Sequence, residues 1–286
     1  MKAAKIMLLL LLAGCVRMMS LDDFLFEPTT VDEYLRSEDL EEWGTRFIIP
    51  DSLVEPVVLT SMGNSIYGFF VKGDPDSVEN NGVTILYCHG RSDNINRYWV
   101  RVEYLWEMGF NVFIFDYQGY GMSEGSPTGE ALYSDGVAAL DYVRTRVDVD
   151  PSRIVYYGWS LGTFVATYLA ADIIHPSALI LEAAIASATV LLRDSALLSL
   201  TGSYVVDADF DNEKRIDLIA SPLLMMHGRE DDYIVFDRHV PLLWDKAVQP
   251  KESLWVDDAA HDDIPETLGA TYHATVIDFI HRHVSD

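Results

Sequence analysis

Ser160 is the residue of this sequence best placed for nucleophilic chemistry. It lies in the segment Tyr157-Gly158-Trp159-Ser160-Leu161-Gly162, with a glycine two positions before it and another two positions after it. An apolar run precedes this segment and a stretch of small residues follows, so the serine is predicted to occupy a tight turn from a strand into a helix. Such a turn needs small neighbours and directs the N–H groups of the helix start at developing negative charge. Ser160 is therefore the predicted nucleophile.

A serine nucleophile needs an imidazole base, and His261 is the predicted base. For a serine on such a turn, the expected chain order is serine, acid, histidine. Three of the eight histidines precede the expected acid, three lie on a predicted C-terminal helix, and one opens a helical segment: His89, His175 and His227; His273, His281 and His283; and His239. His261 instead follows the apolar run Leu254–Val256 in a short loop, and the end of a strand is where an imidazole can reach the serine.

The acid that orients the base is also expected after a strand. The apolar run Leu223–Met226 leads into a segment with three carboxylates, at Glu230, Asp231 and Asp232. Their side-chain chemistry does not separate them, so the residues by themselves leave this choice open.

The elements that would position these residues alternate between strand and helix. Six apolar runs predict buried strands: Val83–Cys88, Val112–Asp116, Ile154–Tyr157, Ala178–Leu181, Leu223–Met226 and Leu254–Val256. Helix-length segments lie between most of them, at Arg97–Met108, Glu130–Arg146, Leu161–Asp172 and Val240–Lys246. A hairpin is predicted before them, and a C-terminal helix after them. This pattern predicts an α/β fold with a mostly parallel central sheet and helices on both faces.

Two regions depart from this alternation. Residues 16–50 are predicted to form an acidic spacer and a short N-terminal helix, before a main domain over 51–286. Residues 184–220 are predicted to be a small helical cap inserted between two strands. The apolar side chains of the cap suit either packing against the body or contact with an acyl chain: Val190, Leu191, Leu192, Leu197, Leu198 and Leu200.

The first fifteen residues have the pattern of an export signal. Lys2 and Lys5 precede the apolar stretch Ile6–Ala13, which ends in Gly14 and Cys15. The order Leu12-Ala13-Gly14-Cys15 resembles the lipobox of bacterial lipoproteins, which implies lipidation of Cys15 after cleavage of the signal. The protein is therefore expected in the cell envelope, outside the cytoplasm, where the lipid anchor would hold it on a membrane. The alternatives are a secretory signal that is cut near this point without lipidation, and an apolar start that arose by chance.

Composition excludes several other functions. A net charge of −25 repels nucleic-acid phosphates and anionic lipid headgroups, so neither is an expected electrostatic partner. The sequence has no run of about 18 apolar residues, the length needed to span a bilayer. It also has no phosphate-binding glycine loop, and Asp207, Asp209 and Asp211 only begin a calcium-loop pattern, because Asn212 replaces its glycine. No metal or organic cofactor is expected.

Taken together, five motifs resemble the α/β-hydrolase superfamily, most closely its bem46-like branch, which is related to serine aminopeptidase-like and acyl-thioesterase members. They cover roughly residues 55–285 and comprise Leu86–Gly90, Asp116–Ser123, the serine segment, His227–Asp231 and Ala259–Asp262. The resemblance implies that Asp231 is the acid, with Asp232 as the fallback. It also places the oxyanion-stabilising N–H groups at Leu161 and Arg91.

The sequence departs from that branch at Arg91, where the branch usually has asparagine. A backbone donor tolerates the change. The guanidinium is expected to reshape the pocket, to meet an anionic substrate group, or to point to solvent.

The expected activity is hydrolysis of a carboxylic ester or thioester of a small-molecule or acyl substrate, through an acyl-enzyme intermediate. Two alternatives remain open: a serine peptidase similar to the aminopeptidases, and a non-catalytic envelope protein that uses the same fold for binding. The sequence does not indicate an oligomeric state.

Overall fold

A computed structural model describes residues 25–34, 40, 43–74, 82–194 and 210–284, and it places eight strands in one sheet. The strands are β1 (Val54–Ser61), β2 (Asn64–Val71), β3 (Thr84–Cys88), β4 (Asn111–Phe115), β5 (Ile154–Trp159), β6 (Ala178–Glu182), β7 (Leu223–Gly228) and β8 (Lys251–Val256). Their order in the sheet is β1-β2-β4-β3-β5-β6-β7-β8. Strand β2 pairs antiparallel with both β1 and β4, and all other neighbours are parallel. The predicted mostly parallel α/β sheet is confirmed.

Helices cover both faces of the sheet, because successive residues of each strand point to opposite sides. The helices are α1 (Ile95–Glu107), α2 (Gly129–Thr145), α3 (Gly162–Tyr168), α4 (Ala188–Asp194), α5 (Phe236–Trp244), α6 (Ile264–Leu268) and α7 (Ala270–His283). On one face, Leu86 of β3 packs in a core shared with α2, α3 and α5. On the other, Ile85 and Tyr87 pack in a core shared with α1 and α7. Both faces of the central strands are therefore dry, which explains their continuous apolar sequences.

The predicted helix Val240–Lys246 is misplaced by about one turn. Helix α5 begins at Phe236 and ends at Trp244, with Pro241 inside it. Its first turn carries Asp237, which suits the positive end of a helix but interrupts the apolar periodicity on which the prediction rested.

Residues 25–34 form a segment that we call the N-terminal strap. Its residues Glu27–Pro28 pair in parallel with Ser92–Asp93, directly after β3. Leu25 and Phe26 of the strap are buried in the main core. The rest of the predicted N-terminal helix lies largely outside the described residues, as do the signal segment and Cys15.

The predicted cap is described only at its two ends. Residues 195–209, which include the acidic Asp207 and Asp209, lie outside the described residues. Leu191 and Leu192, on the described helix α4, are buried in the main core. These two leucines therefore pack against the body. In the described part of the chain, no helix is both long enough and apolar enough to cross a membrane.

Candidate active site

Ser160 occupies the sharp turn between β5 and α3. Its backbone φ is 52°, a left-handed conformation that residues other than glycine rarely adopt. A Cβ atom on Gly158 would lie 2.7 Å from the Gly162 carbonyl oxygen, and one on Gly162 would overlap the carbonyl of Cys88. Both positions therefore need glycine. The turn is held to the next strand, because Ser160 N donates to the Glu182 carbonyl oxygen at 3.0 Å.

His261 stands between the serine and an acid. Its Nε2 lies 3.0 Å from Ser160 Oγ, and its Nδ1 lies 2.8 Å from Asp231 Oδ2. A carboxylate only accepts hydrogen bonds, so Nδ1 carries the proton and Nε2 is left to accept from the serine hydroxyl. The imidazole packs against the rings of Trp159 and Tyr233, with centroids at 5.3 and 5.2 Å. These contacts hold the ring in an orientation suited to proton transfer.

Among the three candidate acids, the structure brings Asp231 to the histidine. Asp231 is buried, whereas Glu230 and Asp232 are exposed. Its Oδ1 accepts from the N–H groups of Tyr233 at 2.9 Å and Ile234 at 2.7 Å. Burial raises the pKa of the Asp231 carboxyl, but hydrogen bonds from His227, His261 and the Ile234 N–H outweigh it and hold that pKa well below its usual range. Asp231 is therefore an anion near neutral pH.

Arg91 and Leu161, the predicted oxyanion donors, flank the serine. Leu161 has helical backbone angles and is the N-cap residue of α3. Arg91 follows β3 in a loop whose carbonyl groups accept from three tyrosine hydroxyls: His89 O from Tyr117 at 2.8 Å, Arg91 O from Tyr120 at 2.7 Å, and Ser92 O from Tyr98 at 2.6 Å. This loop is thus fixed before any substrate arrives, as electrostatic stabilisation of an oxyanion requires.

Ser160 opens into a cleft of about 220 Å³ that is mostly polar and aromatic. The described residues that line it are Glu27, Arg91, Ser92, Arg97, Tyr98, Trp159, Ser160, Tyr233 and His261. The guanidinium of Arg91 lies in this cleft, where it bonds Tyr233 and Glu27. A larger cleft of about 580 Å³ lies beside the β1–β2 turn and α2, and none of the residues around Ser160 line it.

A buried ion pair lies next to the site, and it was not predicted from the sequence. Arg101 Nη1 lies 2.6 Å from Glu182 Oε1, and Arg101 Nη2 donates to the carbonyl of Asp262 at 2.5 Å. The second carboxylate oxygen of Glu182 accepts from the Tyr157 hydroxyl. The pair therefore connects the strand beside the serine to the loop that carries His261.

The described residues include no group of three histidine, cysteine or acidic side chains that could hold a metal ion. Cys88 is buried inside β3, and burial raises the pKa of its thiol above the usual range. At the site itself, Ser160, His261 and Asp231 bring together a hydroxyl, an imidazole and a carboxylate.

Comparisons with known proteins identify a family model and relatives that this chain resembles. A family model described as Hydrolase_4, serine aminopeptidase S33, matches residues 79–207. The uncharacterized Escherichia coli K12 protein YfhR is 32% identical over 223 residues, which cover 76% of this chain and 77% of that protein. Human α/β-hydrolase domain-containing protein 17B is 35% identical over 208 residues, 72% of this chain and 68% of that relative.

A solved structure shows the same fold. An esterase of Pyrococcus furiosus superposes with a TM-score of 0.68 at 18% sequence identity, over 91% of this chain and 100% of that chain. At this identity the likeness concerns the arrangement of strands and helices, and the site has to be judged from its own residues.

Proposed function

This chain belongs to the α/β-hydrolase superfamily, and we propose that it is a serine hydrolase that cleaves a carboxylic ester or thioester. The observation that carries the proposal is the position of His261, with one ring nitrogen 3.0 Å from Ser160 Oγ and the other 2.8 Å from Asp231. A nucleophile, a base and an orienting acid within hydrogen-bonding distance of each other are the requirements for acyl transfer through a covalent intermediate.

In the proposed reaction, Ser160 Oγ attacks the substrate carbonyl carbon while His261 Nε2 takes the hydroxyl proton. The charge that develops on the carbonyl oxygen is stabilised by the N–H groups of Leu161 and Arg91. The C–O or C–S bond then breaks, and the leaving alcohol or thiol takes the proton from His261. Water, activated by the same imidazole, releases the acid and restores the serine. Throughout, Asp231 holds the tautomer and stabilises the imidazolium.

The charges in the cleft favour an ester or thioester over an aminopeptidase substrate. An aminopeptidase has to hold a free ammonium group, for which carboxylates are suited. Arg91 and Arg97 line the described part of this cleft, and its one lining carboxylate, Glu27, lies 2.9 Å from the Arg91 guanidinium.

A non-catalytic binding protein is a weaker alternative. Binding alone requires neither the strained serine turn nor the ordered Ser160–His261–Asp231 hydrogen bonds, and strain of this kind persists where it contributes to function.

Labelling with a fluorophosphonate probe separates catalysis from binding, because the probe reacts with activated serines. The wild-type protein should be labelled and should hydrolyse short acyl esters. Ser160→Ala should abolish labelling and lower turnover by about 10⁴- to 10⁶-fold. Ser92→Ala is the matched control, since Ser92 also lines the cleft but has no contact with His261 in the proposed mechanism. Equal labelling of wild type and Ser160→Ala would refute the proposal.

We also propose that the protein is lipid-anchored through Cys15 in the cell envelope. The support is the order of Lys2, Lys5, the apolar stretch Ile6–Ala13 and Cys15 in the sequence. Acyl chains on Cys15 would hold this acidic protein at a membrane whose anionic headgroups repel it.

A further inference from the structure

The guanidinium of Arg91 is held in place beside the serine. Its Nη1 donates to the Tyr233 hydroxyl at 2.6 Å, and its Nη2 lies 2.9 Å from Glu27 Oε2. The two partners come from distant parts of the chain and contact different nitrogens of the guanidinium. Arg91 also supplies one of the proposed oxyanion N–H groups, and it lines the same cleft as Ser160.

The Glu27 partner is one that a substrate can replace. The side chain of Glu27 is 63% exposed, whereas that of Arg91 is 24% exposed. An ion pair with one solvated member is weak, because water competes for the carboxylate. An anion that enters the cleft loses more of its water and gains a stronger, charge-assisted contact with the same guanidinium. The pair therefore leaves Arg91 oriented and its charge accessible.

The positive charge of the cleft contrasts with the rest of the protein. The sequence has 45 acidic and 20 basic residues, yet two of the nine residues lining this cleft are arginines. The second, Arg97, lies 3.0 Å from Asp93 and 3.6 Å from Asp262, so part of its charge is neutralised. Burial lowers the pKa of the Arg91 guanidinium, but Tyr233 and Glu27 raise it by a larger amount. The pKa of Arg91 is therefore above its ordinary value, and Arg91 remains charged. Arg91 is thus the principal cationic group beside Ser160.

We propose that Arg91 selects substrates that carry a carboxylate or phosphate within a few bonds of the scissile carbonyl. This inference rests on the proposed hydrolase function and narrows its substrate class. The anion replaces Glu27 at the guanidinium, while Tyr233 continues to orient Arg91. Arginine is suited to this role because its planar donors match the two oxygens of a carboxylate or a phosphate.

Matched pairs of esters test the proposal. Monoethyl succinate and ethyl butanoate have acyl chains of equal length and differ in the carboxylate, and a pH-stat measures their hydrolysis. 4-Acetoxybenzoate and its methyl ester place the same difference in the leaving group, so the two arms show on which side of the bond the anion is recognised. The quantity compared among variants is the ratio of kcat/KM for the anionic ester to kcat/KM for the neutral ester.

Three variants give different expected ratios. Arg91→Gln retains a polar side chain and the backbone N–H, and it should lower the ratio by about 10- to 100-fold in at least one arm. Glu27→Gln removes the competing carboxylate and should raise the ratio. Arg282→Gln makes the same change of net charge on an exposed helix, where Arg282 pairs with Glu252, and it should leave the ratio unchanged.

Two results would overturn the inference while leaving the hydrolase function standing. One is the same ratio in wild type and Arg91→Gln in both arms. The other is a faster reaction of Arg91→Gln with both members of each pair and no fall in the ratio, which would mean that Arg91 only restricts access. A protein that hydrolyses no ester and does not react with a fluorophosphonate would instead refute the hydrolase function, and this inference with it.

Discussion

Replacing Arg101 with methionine should destabilise the protein more than any exposed substitution. The side chains of Arg101 and Glu182 are only 7% and 0% exposed, and their closest atoms are 2.6 Å apart. Methionine fills a similar volume but leaves the Glu182 carboxylate buried without its countercharge. Removing one member of a buried ion pair costs about 3–5 kcal/mol. Dividing this loss of unfolding free energy by the usual unfolding entropy of a 286-residue protein gives a decrease in Tm of about 5–8 °C.

The assay is denaturant unfolding at neutral pH, with a control and a second substitution. Arg282→Met breaks the pair with Glu252, whose members are 50% and 35% exposed, and should cost less than about 1 kcal/mol. Adding Glu182→Gln to Arg101→Met removes the uncompensated charge and should recover about 1–2 kcal/mol. The Tyr157 hydroxyl can still donate to the amide oxygen.

The reasoning fails if Arg101→Met costs no more than Arg282→Met. It also fails if the double variant is no more stable than Arg101→Met, because the loss would then come from packing rather than from the buried charge.

Two other predictions concern the acid and the anchor. Asp231→Asn should lower kcat by about 10⁴-fold, whereas Asp232→Asn, an exposed position, should have little effect; the reverse order would mean that the acid is misassigned. The pKa of Asp231 is lowered in the folded protein, so its ionised carboxylate adds to the free energy of unfolding at pH values above the ordinary aspartate pKa of about 3.9. This contribution is lost as the pH falls below that value. Asp231→Asn should therefore flatten the acid side of a plot of stability against pH. Cys15→Ser should move the protein from the detergent phase to the aqueous phase of a detergent partition, and mass spectrometry showing an unmodified wild-type Cys15 would contradict the anchor.

The fold was predictable from the sequence because its central strands are buried on both faces. Runs such as Ile154–Tyr157 are then continuously apolar, and this signal is local. Helix α5 was less predictable, because Asp237 and Pro241 interrupt its apolar pattern. The serine and the histidine were also recognisable, since each follows a strand and stands beside small residues.

The surroundings of the serine and the histidine were not predictable in the same way. Glu27 and Arg91 are separated by 64 positions, and Arg101 and Glu182 by 81. No short segment contains both members of either pair, so only the folded chain reveals them. The preference for Asp231 over its neighbours likewise depends on the turn that buries one of three adjacent carboxylates.

The N-terminal strap has a consequence for the time at which the enzyme becomes active during synthesis. The strap is made first, but its partners Ser92 and Asp93 emerge more than sixty residues later, and the ring of Phe26 packs on that of Phe210, 6.3 Å away. The free-energy cost of loop closure grows only slowly with loop length, so pairing over this separation costs little more than pairing over a shorter one. Glu27 can therefore take its place in the cleft only after β3 and the loop that follows it have been made. Because His261 also lines this cleft, the cleft is complete only after most of the chain has been made.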